Sequence, residues 1–216
     1  TVSESLRKRV EDGVRELDYQ PSQLARGWRR RSTDLLGVII PDRTKPYFPR
    51  LVRGVEDVAY KEGFRLVLCN TDNNPAKELS YFNDLRSFNP AGILVIPAER
   101  TRFANDTLNG NCKIIFVDRC PSWWTGDAVV ANNEDGGHQV GQYIARMGHQ
   151  AIAVISGPSH IDAASDRLRG FRRALTAAGI RLPAKYILEA PFDVEGGFAS
   201  ATRLLSLNPR PTAIFA

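Results

Sequence analysis

From position 35 onward, the chain alternates between two patterns of hydrophobic and polar residues. Short runs of consecutive apolar, often β-branched residues predict buried strands, and apolar residues spaced three and four positions apart predict helices. Strands are predicted at 35–40, 64–70, 92–97, 113–118, 127–132, 151–156, 186–190 and 212–216. Helices are predicted at 46–63, 76–88, 99–109, 134–148, 162–179 and 195–207. This alternation predicts an α/β fold of doubly wound parallel sheets with helices on both faces.

The first 18 residues carry a helical pattern of their own. Leu6, Val10, Val14 and Leu17 recur at helical spacing, and Ser3 is a candidate N-cap. One apolar stripe on a lone helix cannot bury itself. This helix is therefore expected to belong to a small bundle whose other helices are not in this sequence.

The segment from Tyr19 to Arg31 is basic and only weakly helical. No acidic residue occurs in 19–33, and Ser22, just after Pro21, is a candidate N-cap. The helix that could follow has only about two turns and is unstable alone in water, and Gly27 costs it roughly 1 kcal/mol more relative to alanine. We expect it to be helical only when a polyanion or a second copy of the chain holds it. The alternative is a solvated, disordered linker.

Charge and cysteine content narrow the class of protein. Residues 1–31 carry eight basic and five acidic side chains, so they supply more than half of the net charge of +5 and point to a polyanionic partner. No apolar run approaches the roughly 20 residues of a membrane span, and the polar N-terminus does not resemble a secretory signal. The three cysteines lack C-x-x-C spacing. Reduced thiols in the cytoplasm are the expected state.

The run from Ser3 to Trp28 resembles the lactose-repressor (LacI) family of bacterial transcription regulators. It is similar to the last helix of their DNA-binding headpiece followed by their hinge helix. The resemblance rests on Ser3, Arg7, Val10, Leu17, Tyr19, Pro21, Ala25 and Arg26. It extends over essentially all 216 residues. It implies a core like that of periplasmic sugar-binding proteins, with two doubly wound subdomains.

The resemblance also implies where the domains lie. The expected division is a headpiece remnant at 1–18, a hinge helix and linker at 19–34, and core subdomains at 35–131 and 132–216. In the family the chain extends beyond both of these ends. The sequence is therefore expected to be a fragment that lacks the helix-turn-helix and the C-terminal part of the core.

DNA contacts are expected in the hinge, on the resemblance alone. They would come from Tyr19, Ser22, Ala25, Arg26, Trp28 and Arg29. The family usually has leucine where this chain has Trp28, and two such side chains wedge into a minor-groove base step. The alternative for Trp28 is packing against the core.

Candidate ligand-binding residues follow the predicted strands, because ligands of doubly wound sheets bind at the carboxyl ends of strands. These residues are Asp42, Tyr47, Phe48, Asp118, Arg119, Arg167 and Phe192. Aromatic faces and charged groups that hydrogen-bond in pairs suit a sugar or similar polyol. Spacing alone favours this set only weakly, because aromatic residues at helix starts usually belong to the core, and Arg167 could form a surface ion pair. The resemblance implies an effector cleft, although Lys45 departs from the family's usual residue before the proline.

Other motifs point to structural roles. The glycines in 132–141 lack dinucleotide-fingerprint spacing and are interpreted as part of a helix cap. The histidines His138, His149 and His160 have no metal-ligand spacing. The adjacent Trp123 and Trp124 are expected in an exposed loop, either packing there or acting as a lid over a pocket. No catalytic residue, metal or cofactor is predicted.

The sequence therefore predicts an effector-responsive transcriptional repressor. We expect a cytoplasmic homodimer that binds operator DNA and a small molecule, most simply a sugar, and that is not an enzyme. One alternative is a sugar-binding protein without a DNA-binding role, against which the basic N-terminal residues and the missing secretory signal argue. The other is an α/β enzyme acting on a sugar or nucleotide, which no catalytic motif supports.

Overall fold

The computed structural model describes residues 3–16, 33–99, 103 and 112–216. Its strands are β1 (Leu35–Ile40), β2 (Arg65–Asn70), β3 (Gly92–Val95), β4 (Ile114–Val117), β5 (Ala128–Val129), β6 (Ile152–Ser156), β7 (Ile187–Glu189) and β8 (Ala213–Phe215). Its helices are α1 (Glu4–Glu16), α2 (Tyr47–Lys61), α3 (Pro75–Ser87), α4 (Asn133–Arg146), α5 (Asp162–Ala177) and α6 (Val194–Leu205). Each lies where the hydrophobic pattern predicts it, within a few residues. Most of the predicted helix 99–109 lies outside the described residues.

The strands form two parallel sheets, which confirms the predicted fold class. The first has the order β2-β1-β3-β4-β5 and the second the order β7-β6-β8. In each sheet the chain moves from a central strand to one side and then crosses to the other. Such a reversal leaves a crevice at the carboxyl ends of the strands, where doubly wound proteins bind ligands.

Both faces of the first sheet are buried, which explains why its strands are continuously apolar. Along β1, Val38 and Ile40 pack with Phe48 of α2, whereas Ile39 packs on the opposite face with Phe82 of α3. The second sheet is covered in the same way. Helices α4 and α5 cover one face of it, and α6 covers the other.

Helices α4 and α5 cross with their backbones in contact. A Cβ added to Gly137 would lie 2.0 Å from the carbonyl oxygen of Arg167, and one added to Gly170 would lie 1.8 Å from that of Glu134. Only glycine fits at such distances. The helix cap predicted within 132–141 is present, but Gly137 serves the helix crossing and not the cap. The cap of α4 is the side chain of Asn132, which accepts a hydrogen bond from the backbone of Asp135.

Helix α1 is amphipathic but has no buried residue among those the structure describes. Leu6, Val10 and Val14 on its apolar stripe are exposed by 50%, 59% and 37%. That this stripe is covered by a bundle stays a prediction. No helix of the described ranges is long and apolar enough to cross a membrane.

Candidate functional site

A cavity of about 280 Å³ lies where the carboxyl ends of the two sheets meet. Loops after β1, β4 and β7 and the start of α5 form its walls. It is lined by Lys45, Pro46, Tyr47, Phe48, Asp118, Arg119, Ile161, Ala163, Arg167 and Phe192. Six of the seven residues predicted from strand ends are therefore in one place, although they lie up to 145 positions apart in the chain. We call this cavity the central cavity.

Tyr47 and Asp118 form the polar centre of the central cavity. The Tyr47 hydroxyl donates a hydrogen bond of 2.9 Å to Oδ1 of Asp118. Partial burial, together with this hydrogen bond and the negative charge of Asp118, raises the pKa of Tyr47 to about 12. Asp118 adopts a left-handed backbone conformation with φ of 65°, which turns the chain sharply after β4. The phenol is therefore a neutral donor at neutral pH.

Arg119 extends beside Asp118 and is only partly paired. One of its terminal nitrogens donates to the carbonyl oxygen of Pro97 at 3.3 Å. Its Nε lies 3.7 Å from Oδ2 of Asp118 and is buried, and it makes no hydrogen bond to any residue that the structure describes. A buried donor without an acceptor is costly, so this nitrogen favours a ligand acceptor.

Arg167 enters the cavity from α5. Its Nε donates to Oδ1 of Asn133, at the start of α4, over 2.8 Å. The sequence spacing also allowed Arg167 to form a surface ion pair. In the structure, Arg167 pairs with no carboxylate of the described residues. The backbone of Arg167 rests on Gly137, so the crossing of α4 and α5 determines where this guanidinium lies.

The aromatic side chains of the cavity differ in burial. Tyr47 is 51% exposed and Phe192 is 39% exposed, so both offer ring surface to a ligand. Phe48 is 5% exposed and packs in the core against β1 while its ring contacts Tyr47 edge-on at 5.3 Å. The Lys45 ammonium lies 5.9 Å from the centre of the Phe192 ring, across the cavity.

Asp42 is the one predicted residue that does not line the central cavity. Its Oδ1 accepts hydrogen bonds from the backbone and the hydroxyl of Thr44, at 2.9 and 2.6 Å. Its other oxygen lies 3.9 Å from the Lys45 ammonium. The carboxylate is thus used in the turn between β1 and α2.

A second cavity, of about 400 Å³, continues from the central one along the gap between the sheets. Its walls include Glu99, His160 and Asn133. Nε2 of His160 and Oε2 of Glu99 are 2.7 Å apart, which joins the loop after β6 to the loop after β3. Strand-end reasoning missed these residues, and the spacing of His160 gave no sign of a partner. Its position just beyond a strand could have pointed to it.

The remaining sequence candidates have other roles or lie outside the described residues. Trp124 packs against Phe116 with ring centres 5.1 Å apart, which favours packing over a lid, and Trp123 is 39% exposed. In the described ranges, no group of three or more His, Cys, Asp or Glu side chains could hold a metal. The DNA contacts predicted from Tyr19, Ser22, Ala25, Arg26, Trp28 and Arg29 all lie in 17–32, outside the described residues.

Two parallel α/β units with a polar and aromatic cavity between their strand ends define a two-lobed binding architecture. Residues 33–216 match the family described as periplasmic binding proteins and sugar binding domain of LacI family. The chain belongs to this family.

Relatives with known names agree with this assignment. The chain is 31% identical over 216 residues to the HTH-type transcriptional repressor PurR of Vibrio cholerae, and 34% identical over 215 residues to PurR of Actinobacillus pleuropneumoniae. These alignments cover 99% of this chain and 64% of each relative, so the chain spans less than two thirds of their length.

Solved structures show the same fold. The transcriptional regulator CelR in complex with cellobiose matches all of this chain and 66% of its own, with a TM-score of 0.75 and 25% identity. The transcription regulator CcpA of Lactococcus lactis matches 83% of this chain and 66% of its own, with a TM-score of 0.72 and 25% identity.

Proposed function

We propose that this chain contains the effector-binding core of a transcriptional repressor that binds operator DNA as a homodimer in the cytoplasm. A small molecule in the central cavity controls DNA binding through the segment 19–34. The observation that carries the proposal is the cavity itself, where Tyr47, Phe48, Asp118, Arg119, Arg167 and Phe192 meet between two parallel sheets. The names of the relatives support a regulator over an enzyme.

The proposed domain division follows from the same features. Residues 35–131 form one subdomain around the first sheet, and residues 132–216 form the other around the second sheet. Residues 1–18 and 19–34 connect this core to DNA, with contacts from Tyr19, Ser22, Ala25, Arg26, Trp28 and Arg29. The basic excess of the first 31 residues supports a nucleic-acid partner at this end.

The chemistry of the central cavity supports a polyol as its ligand. Exposed rings of Tyr47 and Phe192 can stack on the apolar face of a sugar, and guanidinium and carboxylate groups can hydrogen-bond to neighbouring hydroxyls. The Tyr47 phenol, held neutral, adds a donor whose direction is set by Asp118. A sugar or sugar derivative is therefore the proposed effector class.

The first prediction tests Arg167 in the full-length protein. Thermal-shift measurements with a panel of sugars, sugar phosphates and nucleosides should identify a stabilising ligand. Arg167→Ala should remove about 1.5–3 kcal/mol of charge-assisted hydrogen bonding, which weakens binding by roughly tenfold to a hundredfold or more. The melting temperature without ligand should hardly change, because the side chain is exposed and hydrogen-bonds only to Asn133 among the described residues.

Arg172→Ala is the matched control. Arg172 lies on the same helix, is exposed, and lines a different cavity, so its loss should leave ligand binding intact. The ligand should also change the affinity for DNA at a fixed salt concentration, and Arg167→Ala should abolish that change. An Arg167→Ala variant that unfolds, with normal ligand response in its folded remainder, would instead make Arg167 a structural residue.

A further inference from the structure

We infer that the ligand of the central cavity carries a negatively charged group, a phosphate or a carboxylate, bound by Lys45, Arg119 and Arg167. This inference rests on the proposed function of the cavity as an effector site and goes further by assigning the charge of the effector. Lys45 and Arg119 then become residues that select anionic over neutral ligands.

The wall of the central cavity carries more positive than negative charge. Among the residues that the structure describes, three cationic side chains line it, and Asp118 is the single anionic one. Both guanidinium groups are close enough to the Tyr47 hydroxyl to act on it electrostatically. The two guanidinium charges therefore act on the centre of the cavity, and the single carboxylate among the described wall residues does not balance the three cations.

The nearby carboxylates contact two of these cations but do not saturate their donors. Oδ2 of Asp118 lies 3.7 Å from Nε of Arg119, longer than a hydrogen bond. Oδ1 of Asp118 accepts from Tyr47, and Asp42 accepts two hydrogen bonds from Thr44 at the turn outside the cavity. Asp42 approaches the Lys45 ammonium only at 3.9 Å, longer than a hydrogen bond. Lys45 thus keeps donors for a ligand.

The two guanidinium groups also keep donors for a ligand. Arg167 donates through Nε to the neutral amide of Asn133 and pairs with no carboxylate of the described residues. Arg119 has a buried Nε that makes no hydrogen bond in the described part of the chain. Phosphate and carboxylate oxygens are the acceptors that guanidinium donors match best.

The adjacent cavity has the opposite character and accounts for the rest of the ligand. Its described wall contains the carboxylates of Glu99, Asp118, Asp162 and Asp166 beside Arg119 and His160, with Glu99 paired to His160 and Asp166 paired to Arg169. Carboxylates accept hydrogen bonds from hydroxyl groups and repel a second anion. The geometry therefore favours a ligand with its charged group near Lys45 and Arg167 and its hydroxyl-rich part toward Glu99, with the rings of Tyr47 and Phe192 beside it.

The test is isothermal titration calorimetry on the full-length protein at constant ionic strength. The probes are glucose, fructose and ribose, their phosphate esters, and the acids glucuronate and gluconate, with inorganic phosphate alone as a further probe. At least one charged probe should bind about tenfold or more tightly than its neutral parent, as expected for one charge-assisted contact. Preference for the esters or for the acids distinguishes phosphate from carboxylate. The affinity of the preferred charged probe should fall as the salt concentration is raised.

Variants then assign the charge selection to residues. Lys45→Met should weaken binding of the preferred charged probe about tenfold more than binding of its neutral parent, and Lys45→Arg should restore most of the loss. Lys61→Met, at the end of α2 and outside the cavity, is the control and should change neither affinity.

Two results would overturn the inference, and they separate it from the proposed function. If a neutral sugar binds as tightly as its charged derivatives and Lys45→Met has no effect, the assignment of an anionic group is contradicted. The proposal of a sugar effector is then unaffected. If none of the sugars, esters and acids binds, both the charge assignment and the sugar class are contradicted.

Discussion

At the scale of single residues, the hydrogen bond between Tyr47 and Asp118 defines the polar centre of the cavity. Partial burial raises the pKa of the phenol, and the Asp118 carboxylate adds to this effect because it accepts the phenol's hydrogen bond and ionisation would place two negative charges side by side. The raised pKa makes the free energy of unfolding depend on pH in a defined direction. The stabilisation is fully present below the ordinary tyrosine value of 10.0 and is lost as the pH rises through about 12.

Asp118→Asn should lower the pKa of Tyr47 from about 12 toward 10.0, because the charge is removed while the burial of the ring is kept. Asparagine has the same shape and tolerates the left-handed conformation at this position, so the fold should persist. The measurement is the tyrosinate absorbance during a pH titration, with Tyr47→Phe subtracted to isolate this phenol. An unchanged titration would show that Asp118 does not act on Tyr47.

At the scale of elements, the crossing of α4 and α5 holds a site residue in place. Gly137 and Gly170 allow backbone contact, and Glu134 on α4 forms ion pairs of 2.8 and 2.6 Å with Arg169 and Arg173 on α5. The hydrogen bond from Arg169 holds the pKa of Glu134 below its ordinary value, despite the exposure of the pair. These ion pairs are solvent-exposed and add little stability, so the glycine contact dominates the crossing.

Gly137→Ala should destabilise the protein by roughly 1–3 kcal/mol, because its methyl group would overlap the Arg167 carbonyl and force the helices apart. Ligand binding should weaken as well, since Arg167 moves with α5. Gly136→Ala is the matched control, because no atom outside its own helix lies within 4 Å of the added carbon. It should be neutral or stabilising by up to about 1 kcal/mol. Equal denaturation midpoints for the two variants would contradict the packing argument.

At the scale of the whole molecule, Glu99 and His160 connect the two sheets across the cleft. Burial alone would raise the pKa of Glu99, but hydrogen bonds with His160 and Asn73 and the charges of His160 and Arg119 bring it below the ordinary value. The pKa of Glu189, on the next strand, is also lowered, chiefly by hydrogen bonds from Ser159 and to a lesser extent by the charge of His160. The contribution of Glu99 to stability is therefore present above the ordinary carboxyl value of 4.5 and is lost as the pH falls through its lowered pKa.

His160→Gln should destabilise the full-length protein at neutral pH by about 0.5–1.5 kcal/mol, the contribution of one hydrogen bond. The difference in free energy of unfolding between this variant and the unmutated protein should shrink as the pH falls below 4.5, because Glu99 then becomes protonated in both. Urea denaturation over a range of pH measures this. His149→Gln is the control, since His149 contacts Thr212 inside the second unit, and its effect should not follow the titration of Glu99. If the free energy of unfolding differs by the same amount at all pH values, the effect of His160→Gln is not linked to the protonation of Glu99.

The sequence by itself determined the order of the elements and most of the site. Runs such as the one in β1 are apolar at every position because both faces of the strand are buried, and this shows in local sequence. Six of the seven residues predicted from strand ends line the central cavity, because parallel strands bring their carboxyl ends to one edge. Their role toward a ligand stays a prediction.

The tertiary structure decided what depends on distances between remote parts of the chain. Asp42 follows a strand as Asp118 does, yet its carboxylate turns back to Thr44, because the backbone of that turn offers donors closer than the cavity. Glu99 and His160 are 61 positions apart, and no local pattern couples them. Gly137 looked like part of a cap, since a helix start and a helix crossing both use glycine. Periodicity records whether a residue is buried, whereas the identity of its neighbour is set only when the elements pack.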